Sequence, residues 1–125
     1  QITKDLLKRE NIEPIIKFDY IKTTPGNFLK FNSKLKELNI DLSNKFITNL
    51  KILILSFKKE KDFLLVELIY FYVNYYFQNL QKFKNDDFEK IFQKRSFVIK
   101  EIKDFFELNL NQNALFNVIE NRINE

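Results

Sequence analysis

The stretch from Asp62 to Lys82, DFLLVELIYFYVNYYFQNLQK, is the feature that most constrains how this chain can fold. Successive residues of a helix turn by roughly 100°. This spacing places four polar residues of the stretch on one narrow stripe: Glu67, Asn74, Gln78 and Gln81. A helix with so thin a polar stripe must be enclosed by other helices over most of its circumference. The stretch is therefore expected to be the central helix of an α-helical bundle.

Two other interpretations of this stretch are weaker. A membrane span needs about 20 apolar residues, but Glu67 and Asn74 interrupt the run, and charged residues fill positions 58–62 just before it. An aromatic platform for stacking bases would need the tyrosines on one face. Their spacing points them in several directions instead. Packing in a core is the better explanation, and no membrane segment is expected.

Composition excludes several kinds of chemistry. The 125 residues include no Cys and no His, which removes disulfides, thiol nucleophiles, imidazole bases and ordinary zinc sites. Gly occurs once and Pro twice, so there is no Gly-rich loop to cradle phosphate. We recognise no acid/base pair, no metal cluster and no catalytic triad, and therefore expect a non-enzymatic chain without a cofactor. The absence of Cys and of a signal peptide fits the cytoplasm, and the first residue, Gln1, suggests a piece of a longer polypeptide.

Helical spacing of apolar residues continues through the rest of the chain. Thr24-Pro25-Gly26 is the strongest break, where Thr24 can cap and Pro25 can open the next helix. Further helices are predicted over 43–59, 86–108 and 112–123. Each predicted helix has one apolar face. The faces are, for the helix that opens at Pro25, Phe28, Phe31, Leu35 and Leu38; for helix 43–59, Phe46, Ile47, Leu50, Leu53, Ile54 and Phe57; for helix 86–108, Phe88, Ile91, Phe92, Ile99, Ile102 and Phe106; and for helix 112–123, Leu115, Val118 and Ile119. The prediction is an all-α bundle of about five main helices preceded by one or two short ones.

A few residues depart from this pattern. Ile52 and Leu55 lie off the main face of helix 43–59, which predicts that this helix is covered on two sides. Arg95 falls inside an apolar seam, where it must either reach out to water or meet a carboxylate. Phe97 points away from the same seam, and together with Leu108 it suggests a contact surface.

Two short motifs resemble one family. The sequence IKTTPGNFLKF is similar to the S-P-G-x-A-L junction between the lid and collar domains of the delta-prime subunit in bacterial DNA polymerase III clamp loaders. Thr24, Pro25 and Gly26 match that junction, and Phe28 replaces a small residue. The sequence ELNLNQNALFNVIENRI resembles the closing N-x-N-x-x-L signature of the same collar domains. There Asn109, Asn111, Leu115 and Ile119 match, while Gln112 replaces the usual Pro.

The resemblance implies a domain plan and a set of partners. Residues 1–22 would be the remnant of a lid-like domain, residues 23–26 a junction, and residues 27–125 a helical collar. The collar would assemble a clamp loader with delta and tau/gamma subunits during DNA replication, and would meet DNA only indirectly. The nucleotide site of the family would lie upstream of this chain. The outward apolar residues Phe97, Leu108 and Phe116 would then contact other subunits.

Two alternatives remain open at the level of sequence. The lysines of segment 17–36 outnumber its single acid, Asp19, so the chain could be a basic nucleic-acid-binding domain in which Lys30 and Lys34 contact phosphates. It could also be an orphan helical adaptor between proteins. No residue pattern excludes the adaptor.

Overall fold

The computed structural model of the protein describes residues 25–83 and 88–125. Within these ranges the chain is 85% helical, with five helices and no strand. The helices are α1 (Pro25–Glu37), α2 (Phe46–Glu60), α3 (Phe63–Phe83), α4 (Phe88–Leu108) and α5 (Gln112–Asn124). The predicted all-α class is therefore confirmed. The predicted remnant at residues 1–22, the upstream lysines Lys17 and Lys22, and Thr24 of the junction lie outside the described residues.

The described chain divides into two compact units. One ends at Leu68 and the other begins at Ile69, so their border falls inside α3. This helix is the predicted central one, and it begins one residue later than the sequence pattern indicated. Among the described residues, no helix is long and apolar enough to cross a membrane.

Three helices end at residues other than glycine in the left-handed conformation. Asn39 (φ 56°), Lys61 (φ 54°) and Asn109 (φ 52°) follow α1, α2 and α4. At the end of α2, the Lys61 N–H donates to the carbonyl oxygen of Phe57, with an N···O distance of 2.6 Å. Glycine is favoured at such positions because it has no Cβ to meet the neighbouring carbonyl. The sequence holds a single glycine, Gly26, so these three turns are made by residues with side chains.

In the first unit, α1 and α2 bury most of the faces predicted for them. The buried apolar residues of this unit are Phe28, Phe31, Leu35, Ile40, Phe46, Leu50, Leu53, Ile54, Leu65 and Leu68. Leu38, Ile47 and Phe57 are half-buried. The prediction that α2 is covered on two sides is wrong, because Leu55 is 46% exposed. The second side of α2 faces solvent.

Two buried asparagines join the core of the first unit. The Asn32 amide Nδ2 donates to the Phe28 carbonyl at 2.9 Å, one turn back in α1. The Asn49 Nδ2 donates to the Asp41 carbonyl at 2.9 Å, and so ties the α1–α2 turn to the first half of α2. Buried amides persist where hydrogen bonds offset their desolvation. Sequence spacing did not predict either one.

In the second unit, α4 is turned relative to its predicted seam. The buried apolar residues are Ile69, Tyr72, Val73, Phe77, Ile91, Val98, Ile102, Phe105, Leu115, Phe116 and Ile119. Ile91 and Ile102 are buried as predicted, but Phe88 is 65% exposed and Phe92 is 49% exposed. Val98 and Phe105 take their place, which corresponds to a rotation of roughly 60° about the helix axis.

The last helix, α5, shows a similar difference. Leu115 and Ile119 are buried as predicted, whereas Val118 is 39% exposed and Phe116 is only 6% exposed. The prediction that Phe116 faces outward is therefore wrong. Phe116 directly follows Leu115, and the packing of α5 encloses both side chains. The larger aromatic side chain gains more from burial than Val118 would.

Candidate interaction surface

The three predicted partner-contact residues do not form one exposed surface. Leu108, at the end of α4, is 66% exposed, and Leu110 in the following turn is 42% exposed. Phe97 is half-buried, and Phe116 belongs to the core. Of the three, only Leu108 is open to a partner as predicted.

Phe97 is covered by a cationic side chain from α5. The guanidinium carbon of Arg122 lies 5.3 Å from the centre of the Phe97 ring, a distance at which a cation is attracted to an aromatic face. Arg122 also donates to the Glu125 carboxylate at 2.9 Å. The Lys94 ammonium donates to the Ile123 carbonyl at 3.1 Å. The contacts of Arg122 with Phe97 and of Lys94 with Ile123 join the end of α5 to the middle of α4. Phe97 therefore contributes to helix packing.

An exposed aromatic pair at the start of α4 replaces the predicted surface. The rings of Phe88 and Phe92 are stacked, with centroids 6.4 Å apart and planes 16° from parallel. Helical spacing predicts both residues to be buried, because they share one flank of the helix with Ile99 and Phe106. Those two residues are half-buried in the structure, so the exposed part of the flank is the Phe88–Phe92 pair. The signal was present in the sequence, since α4 carries more apolar residues than one buried face can hold.

Arg95 in the α4 seam meets an amide rather than a carboxylate. Its Nε donates to the Asn74 Oδ1 at 2.7 Å, in a partly buried position. Asn74 belongs to the polar stripe of α3, and the other described side chains of that stripe, Glu67 and Gln78, are exposed. The side chain of Gln81 lies outside the described set. One position of the stripe therefore accepts a hydrogen bond from the charged side chain of α4.

The lysines considered for phosphate contact differ sharply in environment. The Lys34 side chain is only 11% exposed, and its Nζ lies 3.0 Å from a Glu60 oxygen and 3.3 Å from a Glu37 oxygen. The hydrogen bond with Glu60 is the main cause that raises the pKa of Lys34. The Lys34 ammonium is thus paired with two carboxylates, which contradicts the prediction that it contacts phosphate. Lys30 is exposed.

A shallow groove of about 370 Å³ runs beside Lys30. It is lined by Leu29, Lys30, Ser33, Lys34, Glu37, Asp62 and Leu64. Its lysines and carboxylates offset each other, and the Asp62 Oδ1 already accepts from the Leu64 N–H at 3.0 Å. The groove therefore has no net charge with which to select an anion.

The junction residues take ordinary positions at the start of α1. Pro25 is the first described residue of α1, and the predicted cap Thr24 lies outside the described residues. Gly26 follows with an unstrained backbone, and a Cβ added there would meet nothing within 4 Å. Glycine is therefore not required at this position by any close contact among the described residues.

The asparagines of the closing motif have clear structural roles. Asn109 ends α4 in the left-handed conformation. Asn111 caps α5, because its Oδ1 accepts from the N–H of Asn113 at 2.8 Å and from that of Ala114 at 3.2 Å. A cap of this kind satisfies backbone donors that the first turn of a helix leaves unpaired. The motif thus describes a tight turn between two helices.

In the described chain, ionisable groups with shifted pKa values owe the shift to local hydrogen bonds or to burial. The Ser43 backbone N–H and hydroxyl lower the pKa of Asp41. Burial raises the pKa of Tyr70 and of Tyr76. In the ranges that the structure describes, no group of three metal-binding side chains comes together.

Comparisons with known proteins add no identification. No family model matches this sequence, and neither the curated proteins nor the solved structures include a significant match.

Proposed function

We propose that this chain is a non-catalytic oligomerisation domain, the collar of a clamp-loader subunit of the delta-prime type. It would act in the cytoplasm and hold delta and tau/gamma subunits together during DNA replication. The observation that carries the proposal is a group of four exposed apolar side chains at the two ends of α4: Phe88, Phe92, Leu108 and Leu110. Phe88 and Phe92 lie at the start of α4 and Leu108 and Leu110 at its end, roughly 30 Å apart along the helix, so they form two apolar patches. Exposed apolar patches are typical of surfaces that bind other proteins.

The motifs that suggested the family support the proposal at both ends of the domain. Pro25 is the first described residue of α1, and it lies in the segment where a collar would begin. Asn109 and Asn111 form the turn before α5, which is where the closing signature of a collar would lie. Because the Lys34 ammonium is already paired with Glu60, nucleic-acid binding through Lys30 and Lys34 is the weaker alternative.

Light scattering during gel filtration tests the proposal. The full chain is run alone and mixed with the cognate tau/gamma-type subunit, and we expect co-elution at a defined stoichiometry. Phe92→Asp and Leu108→Asp should weaken the complex, because each places a charge on an apolar contact surface. Gln93→Asp, at an exposed position next to Phe92, is the matched control and should not. Two independent peaks at micromolar concentration would refute the collar.

A further inference from the structure

The solvent side of α5 carries almost no charge, although 30% of the residues of the chain are charged. Half of the exposed residues of α4 are charged, whereas Glu120 is the single charged residue among those of α5. The exposed residues of α5 are Asn113, Ala114, Asn117, Val118, Glu120, Asn121 and Asn124. Depletion of charged side chains distinguishes the centre of a protein–protein interface from the rest of a surface.

Four of these residues form one continuous face. They follow the spacing i, i+3, i+4 and i+7, by which one helix contacts another. They lie opposite the buried side of the helix, and all four are exposed. We call them the amide face of α5: Ala114, Asn117, Val118 and Asn121. An asparagine amide both donates and accepts, so it can pair with an identical amide.

We infer that the amide face of α5 binds the same face of a second copy of this chain, with the two helices antiparallel. A two-fold axis brings identical patches together. Charged patches repel in such a pair, and this face has no charge. The acids Glu120 and Glu125 lie toward the C-terminal end of α5. An antiparallel pair keeps these ends apart and opposes the two helix dipoles, which a parallel pair would align.

The register follows from the centre of the face. With the axis between Asn117 and Val118, Ala114 lies opposite the partner's Asn121, and Asn117 lies opposite the partner's Val118. The small Ala114 allows the helix axes to approach closely. A helix of this length spans about 20 Å, which is too short for a standard interface of about 800 Å² per partner. We therefore expect a weak pair, with a dissociation constant on the order of 100 μM.

Other occupants fit the amide face less well. Nucleic acids and anionic membranes are held by basic side chains, and a charged protein surface would meet no opposite charge here. An apolar helix of another protein would cover Asn117 and Asn121 without offering hydrogen bonds, which costs free energy. The inference does not rest on the collar proposal, whose contact residues lie at the two ends of α4.

Sedimentation equilibrium of the full chain alone tests whether the pair forms. The average mass should rise toward that of a dimer between about 10 μM and about 1 mM. Asn117→Asp and Val118→Asp place two like charges close to the axis, so each should raise the dissociation constant at least about tenfold. Gln93→Asp, at an exposed position of α4, is the matched control and should leave it unchanged. Circular dichroism establishes that each variant is folded before its mass is compared.

Disulfide crosslinking tests the register, because the chain contains no Cys of its own. Under mild oxidation, Asn117→Cys and Val118→Cys should each form a crosslinked dimer. Ala114→Cys should crosslink with Asn121→Cys in a mixture of the two variants. Neither should crosslink with itself, because an antiparallel pair separates identical positions there by about 10 Å along the axis, beyond the reach of a disulfide. Gln93→Cys, away from the face, should stay monomeric.

Three results would overturn the inference: a monomeric mass at every concentration, a dimer that Asn117→Asp and Val118→Asp do not weaken, or crosslinking of Ala114→Cys with itself. Failure here and failure of the collar are separate outcomes. A chain that is monomeric alone but co-elutes with the tau/gamma-type subunit refutes the pairing and leaves the collar standing. A chain that pairs alone and does not co-elute refutes the collar and leaves the pairing standing.

Discussion

The hydrogen bond between Arg95 and Asn74 gives the sharpest test of how the second unit is held together. Arg95 lies on the α4 face that also buries Ile91 and Val98. Its Nε donates to the Asn74 Oδ1 at 2.7 Å, and both side chains are half-buried. We therefore expect the two residues to be energetically coupled, although they are exposed enough to be replaced without opening a large cavity.

The size of the coupling follows from the charge of the donor. A hydrogen bond to a charged group contributes about 1.5–3 kcal/mol net, and a donor left unpaired costs more than one removed with its partner. Asn74→Ala should lower the free energy of unfolding by roughly 2 kcal/mol, which lowers the melting temperature by roughly 8 °C for a chain of this size. Arg95→Met keeps the aliphatic packing and should cost about 1–2 kcal/mol.

A double-mutant cycle measures the coupling directly. Urea unfolding of the native chain, both single variants and the double variant is followed by circular dichroism at the helical band, since the chain contains no Trp. The double variant should be less destabilised than the sum of the single variants by about 1–2 kcal/mol. Gln78→Ala, at an exposed position on the same stripe of α3, is the control and should change stability by less than about 0.5 kcal/mol. Additivity within about 0.3 kcal/mol would refute the reasoning.

Two further predictions concern the helix ends of the first unit. Lys61→Gly should raise the urea midpoint by an amount equivalent to about 1 kcal/mol, because Lys61 holds φ 54° and glycine relieves that strain; an unchanged or lower midpoint would contradict it. The pKa of Asp41 is lowered from 3.8 by hydrogen bonds from Ser43, so its contribution to stability is present above that value and is lost as the pH falls through the lower folded-state value. Thermal melts over acidic pH should therefore show a steeper loss for the native chain than for Asp41→Asn, and equal slopes would count against this role.

The candidate surface could be predicted from sequence only in part. Leu108 is exposed as expected, because it closes a helix just before a turn. Phe116 and Lys34 were misassigned, since one is packed in the core and the other is engaged by Glu60 and Glu37. Those outcomes depend on which helix packs beside them. The spacing of residues within one helix does not show which other helix packs beside it.

The sequence by itself determined that the described chain is helical and placed most helix ends closely, although α2 begins at Phe46, three residues after its predicted start. Helical periodicity and turn residues act over a few neighbouring positions, so α3 and α5 lie within one or two residues of their predicted ranges. Only the tertiary structure decided which apolar side chains are buried. α4 carries apolar residues on more than one face, and packing buried Val98 and Phe105 while leaving Phe88 and Phe92 exposed. Burial is a property of the neighbouring elements, and local spacing cannot choose among several apolar faces of one helix.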